Sequence, residues 1–113
     1  MKTAHDLVVA AKSRVQEIPV QDAEQAIREA DVLVDVREAD EYAQEHIPGA
    51  MNLPLSRLRD GLHTLPRDRR LVLYCLTGKR SWDAASALRQ LGYDVAMLSG
   101  GIETWRHHRA ARR

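Results

Sequence analysis

The sequence predicts an α/β domain built on a largely parallel sheet with helices on both faces. Three observations carry this. Val32-Leu33-Val34-Asp35-Val36 and Leu71-Val72-Leu73-Tyr74-Cys75 are near-continuous apolar runs rich in β-branched residues, the pattern of strands covered on both sides. Segments with helical spacing alternate with such runs along the chain, as strand–helix–strand units require. The core is aliphatic, with no Phe and only Trp82, Trp105, Tyr42, Tyr74 and Tyr93 as aromatics.

The elements follow in order. Ala4, Leu7, Ala11, Val15 and Ile18 fall at helical spacing behind a capping Thr3, and Pro19 ends the pattern. Residues 1–17 therefore read as an N-terminal helical extension. Ile18-Pro19-Val20 reads as a short edge strand, because Pro donates nothing to a ladder. Asp22 to Ala30 is a short helix with Ala23, Ala26 and Ile27 on one side. Val32 to Val36 is the first buried strand. Glu38 to Glu45 is a polar helix anchored by Tyr42. His46-Ile47-Pro48-Gly49-Ala50 is a turn, and Met51-Asn52-Leu53 a strand stopped by Pro54. Leu55, Leu58 and Leu62 repeat at helical spacing as far as Pro66. Leu71 to Cys75 is the second buried strand. Ser81, Ala84, Ala85, Leu88 and Leu91 make one helical face, with Gly92 placed to end that helix. Val95 to Leu98 is the last strand of five, Gly100-Gly101 a turn, and Ile102 to His108 a terminal helix. Residues 109–113 read as a basic tail.

A chain of 113 residues fits one domain, at about 100–200 residues per domain. Its 29% charged and 44% hydrophobic residues are ordinary for a globular protein. A net charge of +1 gives no global field toward nucleic acid or membrane. With few aromatics there is no platform for stacking single-stranded bases. A lone cysteine rules out an intramolecular disulfide framework and a cysteine-based zinc cluster. The apolar stretch Leu7 to Ala11 is shorter than the roughly 7–15 residues of a secretory core, and nothing approaches the ~20 apolar residues of a membrane span. The expected location is cytoplasmic, with neither metal nor cofactor.

The chemistry centres on Cys75-Leu76-Thr77-Gly78-Lys79-Arg80-Ser81. Cys75 closes a buried strand and a helix follows, so the thiol belongs at the carboxyl edge of the sheet, where such folds hold their sites. Asp35 ends a strand at the same edge. The helix start presents unpaired N–H groups and a positive dipole end. The amides of Leu76 to Arg80 can curl into an anion nest, with Gly78 taking a conformation that side chains oppose. Lys79 and Arg80 add full charges. Thiols in such surroundings ionise at about 3.5–7.5 instead of about 8.5. The plain alternative is a buried small hydrophobe, which the Gly-Lys-Arg-Ser continuation disfavours.

Rival anion loops fail on spacing. A Walker A loop needs Gly and Ser or Thr where the chain has Leu73 and Arg80. A cysteine phosphatase needs its Arg where the chain has Ser81, so this loop is one residue short for a phosphate dianion. A redox Cys-x-x-Cys fails at Gly78.

Several segments together resemble the rhodanese family of sulfurtransferases. They are Val34-Asp35-Val36-Arg37-Glu38, then Glu41-Tyr42, then His46-Ile47-Pro48-Gly49-Ala50-Met51-Asn52-Leu53-Pro54, then Cys75 to Ser81, then Leu98-Ser99-Gly100-Gly101-Ile102 with Trp105. The resemblance implies a rhodanese-like fold over residues 18–108 and a role in sulfur metabolism as a thiosulfate sulfurtransferase. In that family a cysteine thiolate takes the outer sulfur of a donor such as thiosulfate. It becomes a persulfide and passes the sulfur to cyanide, a thiol or a partner protein. Carried over, Cys75 is the nucleophile. Leu76, Thr77, Gly78, Lys79 and Arg80 bind substrate and persulfide, with Asp35, Arg37 and Ser81 in support. The implied partners are a small-molecule sulfur donor, a thiol or cyanide acceptor and a sulfur-relay protein; nucleic acid and membrane are not expected. Leu76 departs from the Arg or polar residue common in the family after the cysteine, which removes one anion contact. Glu45 stands where the family often has Gly.

Asp35 reads as a structural acceptor, and Arg37 as the partner of Glu41 or Glu45. His46 belongs to a turn held by its own imidazole. His107 and His108 diverge on a helix and read as solvated. The rival function is a non-catalytic or sulfur-carrier module acting with a partner protein. A phosphatase or arsenate reductase is disfavoured by the short loop.

Overall fold

The computed structural model describes residues 15–29 and 31–111. Its sheet has five strands, β1 (Gln16–Ile18), β2 (Val32–Asp35), β3 (Met51–Asn52), β4 (Leu71–Tyr74) and β5 (Val95–Leu98), in the order β1-β5-β4-β2-β3. Every pairing is parallel. Five α-helices join the strands: α1 (Ala23–Arg28), α2 (Ala39–Gln44), α3 (Leu58–Gly61), α4 (Lys79–Gln90) and α5 (Gly101–Ala111), with short 3-10 turns before α1 and around α3.

The side-chain period of two divides each central strand between two cores. Val34, Leu71, Leu73, Cys75, Val95 and Met97 face one layer, where Ala84, Ala85 and Leu88 of α4 pack with Leu55, Leu58 and Leu62. Leu33, Val72, Tyr74, Ala96 and Leu98 face the other, against Ala23 of α1, Ile102 and Trp105 of α5, and Tyr42 of α2. Burial on both faces explains why these strands read as unbroken apolar runs.

Three local expectations are corrected. Gln16 and Glu17 are strand, not helix: they pair with Ala96 and Met97, so the sheet begins before residue 18. The rest of the expected N-terminal helix lies outside the described residues. Leu91 leaves the apolar face and is 51% exposed, because α4 ends at Gln90 and Gly92, at φ +90°, turns the chain away. The terminal helix runs on to Ala111, so Arg109 belongs to α5 rather than to a tail. Its guanidinium lies over the Trp105 ring, 5.2 Å from the centroid, a cation–π contact that favours the added turn.

At the carboxyl edge Asp35 pairs in register with Tyr74. The Asp35 carboxylate is fully buried and takes a two-point bond from the Arg37 guanidinium at 2.8 to 3.2 Å, plus the Arg37 amide at 2.8 Å. Arg37 also donates to the Glu45 carbonyl. The expected side-chain partners Glu41 and Glu45 are therefore replaced by Asp35, two residues away. Asn52 donates to the carbonyls of Asp35 and Arg37, at 3.0 Å each, and ties β3 to this corner. Removing one partner of a buried pair leaves the other charge uncompensated. Asp35→Asn is expected to destabilise the fold by about 3–5 kcal/mol, read as the urea midpoint; a change under about 0.5 kcal/mol would contradict the pairing.

Candidate active site

Cys75 leaves β4 at this edge, and its loop is held from three sides. The first hold is the start of α5. The amides of Ile102 and Glu103 donate to the carbonyls of Cys75 and Leu76 at 2.9 and 3.2 Å. Helix N-termini carry such free donors and a positive dipole end. The approach is close enough to exclude any side chain at Gly101. A Cβ there would lie 2.4 and 2.5 Å from the same two oxygens, and its φ is +64°. Because N–H and C=O point oppositely across a trans peptide, fixing these carbonyls on α5 turns the following amides away from it.

The second hold is the sulfur itself. The Gly78 amide donates to Cys75 Sγ at 3.1 Å. Gly78 sits at φ +130° as the residue before α4, a conformation that other residues oppose. Ser81 is fully buried, donates its hydroxyl to the Gly78 carbonyl at 3.0 Å and accepts from Cys75 Sγ at 3.6 Å. It thus closes the loop and accepts the thiol's own hydrogen. Cys75 is 1% exposed, whereas Leu76 is 38% exposed. The sulfur sits under the loop and Leu76 forms part of the outer lip.

The third hold was hidden in the sequence. Arg80 makes a fork to Glu41 of α2, at 2.7 and 3.0 Å, so its charge is already partnered. Lys79 is exposed and has no ion-pair partner among the described residues. The two cations expected to act together are therefore split. Thr77 is exposed on the loop. Of the loop amides expected to surround the sulfur, that of Gly78 makes the bond described. The bond to Glu41 is the chief reason that the Arg80 pKa is raised.

The other sequence candidates are engaged with partners of their own. Asp35 and Arg37 are consumed by each other. His46 donates from Nδ1 to the Tyr42 carbonyl at 2.9 Å, and its ring stacks on Tyr42 at 3.8 Å. The buried Tyr74 hydroxyl accepts the Ile47 amide at 3.0 Å, and burial pushes its pKa up so that it stays a neutral phenol. Among the described residues no group of three or more His, Cys, Asp or Glu is placed to hold a metal. No helix among them is long and apolar enough to cross a membrane.

A buried thiol bonded by a loop amide, at the carboxyl edge of a five-stranded parallel sheet, defines an α/β domain with a cysteine-centred loop. The chain belongs to the rhodanese-like domain family, whose profile matches residues 19–108. It is 42% identical over 78 residues to a sulfurtransferase of Allochromatium vinosum, covering 68% of this chain and 73% of that one. It is 35% identical over 78 residues to the thiosulfate sulfurtransferase GlpE of Coxiella burnetii, with the same two coverages of 68% and 73%. A rhodanese-related protein from Thermoplasma volcanium superposes with a TM-score of 0.77 at 33% identity, over 82% of this chain and 92% of its own. These relatives support sulfur transfer as the general activity.

The fork holds the Glu41 carboxyl down at about 2, from an ordinary 4.5, chiefly through the bond from Arg80. A carboxyl with a depressed folded-state pKa stabilises the fold above its unfolded value and loses that contribution as pH falls through the folded one. Wild type should therefore exceed Glu41→Gln in urea midpoint above about pH 5, and the gap should close as pH falls toward 2. A gap constant with pH would contradict the fork.

Proposed function

We propose that this domain moves sulfane sulfur from a donor such as thiosulfate to a thiol or to cyanide through a persulfide on Cys75. The observation that carries the reading is the Gly78 amide donating to Cys75 Sγ at 3.1 Å beneath a loop anchored at its carbonyls. A sulfur so placed keeps a hydrogen-bond donor beside it when it bears negative charge. The Cys75 thiolate attacks the outer sulfur of thiosulfate. The Sγ–S bond forms, the S–S bond of thiosulfate breaks, and sulfite leaves with the bonding pair. The product is an anionic persulfide. Cyanide or a thiolate then attacks its terminal sulfur, and the pair of the breaking bond returns to Cys75. The charge balances in each half, so no redox partner is required.

In this reading Leu76, Thr77, Gly78, Lys79 and Arg80 form the bowl over the persulfide, and Ser81 turns its hydroxyl to the charged sulfur. Asp35 and Arg37 fix the neighbouring strand end without touching the reactants. The exposed Leu76 at the lip favours a second reading, in which a protein partner delivers or collects the sulfur in a relay.

The test is intact mass after incubation with thiosulfate and removal of excess donor. The expected result is a gain of one sulfur that cyanide removes and that Cys75→Ser abolishes. A wild-type chain that gains no sulfur from thiosulfate or from a persulfide donor would overturn the assignment.

A further inference from the structure

The Arg80 side chain stands next to the reactive loop yet is committed elsewhere, and the residue that commits it is Glu41. This carboxylate is fixed before Arg80 arrives. Oε1 accepts from the Glu38 amide at 3.1 Å, and the Glu41 amide donates in return to the Glu38 side chain, a capping box at the start of α2. Ser56 in turn donates to Glu38 Oε1 at 2.7 Å. The Arg80 fork closes on an acceptor that α2 has already oriented, in geometry that matches two parallel N–H donors to two carboxylate oxygens. Both members are about one-third exposed, at 34% and 31%, so the pair lies at the rim rather than in the core.

We propose that Glu41 is a positioning residue that sets the anion selectivity of the Cys75 loop: it withdraws Arg80 from donor recognition and leaves Lys79 as the loop's working cation. The proposal rests on reading Cys75 as the sulfur-accepting thiol. Its consequence is a substrate preference. With one side-chain cation neutralised and Leu76 exposed at the lip, the loop is set for donors of lower negative charge than a bare dianion, such as an organic or protein-bound persulfide. Tetrahedral dianions, thiosulfate among them, favour two cations converging on one centre and are bound less well by this loop than they would be with Arg80 free.

The readout that a merely structural role would not move is charge selectivity at the sulfur. Alkylation of Cys75 by anionic iodoacetate and by neutral iodoacetamide is followed by intact mass, and the ratio of the two rate constants is taken. General changes in exposure or nucleophilicity cancel in that ratio. A full charge several ångströms away near a protein surface changes it by roughly threefold to tenfold. Glu41→Gln, which frees Arg80, is expected to raise the ratio by about that factor. The double variant Glu41→Gln with Arg80→Gln, again neutral, is expected to fall back near wild type. Lys79→Gln, a change at an exposed and unpaired side chain, is expected to lower the ratio by a similar factor and keeps the test decisive if Glu41→Gln fails to fold.

A ratio unmoved by Lys79→Gln, a rise that survives in the double variant, or a thiol that neither reagent reaches would overturn the proposal. The KM for thiosulfate should follow the same order, lower in Glu41→Gln and higher in Lys79→Gln. Ratios that move as stated in a chain that gains no sulfur support the selectivity device while overturning sulfur transfer. Unmoved ratios in a chain that does gain sulfur overturn the device alone.

Discussion

The geometry of this site depends on two backbone hydrogen bonds, from the amides of Ile102 and Glu103 to the carbonyls of Cys75 and Leu76. They join the end of the central strand to the start of the last helix. A strand exit would otherwise be free to turn in many directions. Here its first two carbonyls are fixed by donors that a helix start leaves unused. The contact demands a glycine at 101, because a side chain there would occupy the space of the very oxygens being held. Fixing the carbonyls also fixes the opposite edge of the same peptides, and the loop then passes over the sulfur.

Around that anchor the charged groups sort by what they hold in place. Arg37 is buried on Asp35 and fastens the end of β2 to the Glu45 carbonyl that follows α2. Arg80 fastens the far side of the loop to α2 through Glu41. Lys79 is exposed and has no ion-pair partner among the described residues. Three cations that look alike in sequence thus do three different jobs. Burial and the nearest carboxylate decide which. The arrangement also separates the sulfur from the surface of its loop: Cys75 is covered, while Leu76 and Lys79 are exposed.

Much of this was legible in the chain itself. β2, β4 and β5 are visible because burial on both faces leaves no polar interruption except Asp35, and that exception marks the functional edge. The Cys75 loop is visible because a glycine, two cations and a serine follow a strand at fixed spacing. What was not legible is tertiary. Val15 and Ile18 are both buried, with Gln16 and Glu17 exposed between them, a spacing that helical periodicity claims equally well. Backbone pairing with β5 decides the matter, and no side chain announces it. Leu91 keeps the helical period after the helix has stopped. Glu41 has two arginines in reach of its sequence pattern, and only the fold shows that Asp35 has already taken Arg37. Gly101 reads as a turn residue, and its role against the active loop needs the last helix in place.

The most direct measurement of the anchor is amide hydrogen exchange in the full chain, read residue by residue by NMR. If the helix start holds the loop, the amides of Ile102 and Glu103 exchange with protection comparable to the interior of α5, although they are the first donors of that helix and lack partners within it. Exchange of both at the rate of freely exposed amides would contradict the account, since the strand exit would then be untethered and the bowl over Cys75 unformed.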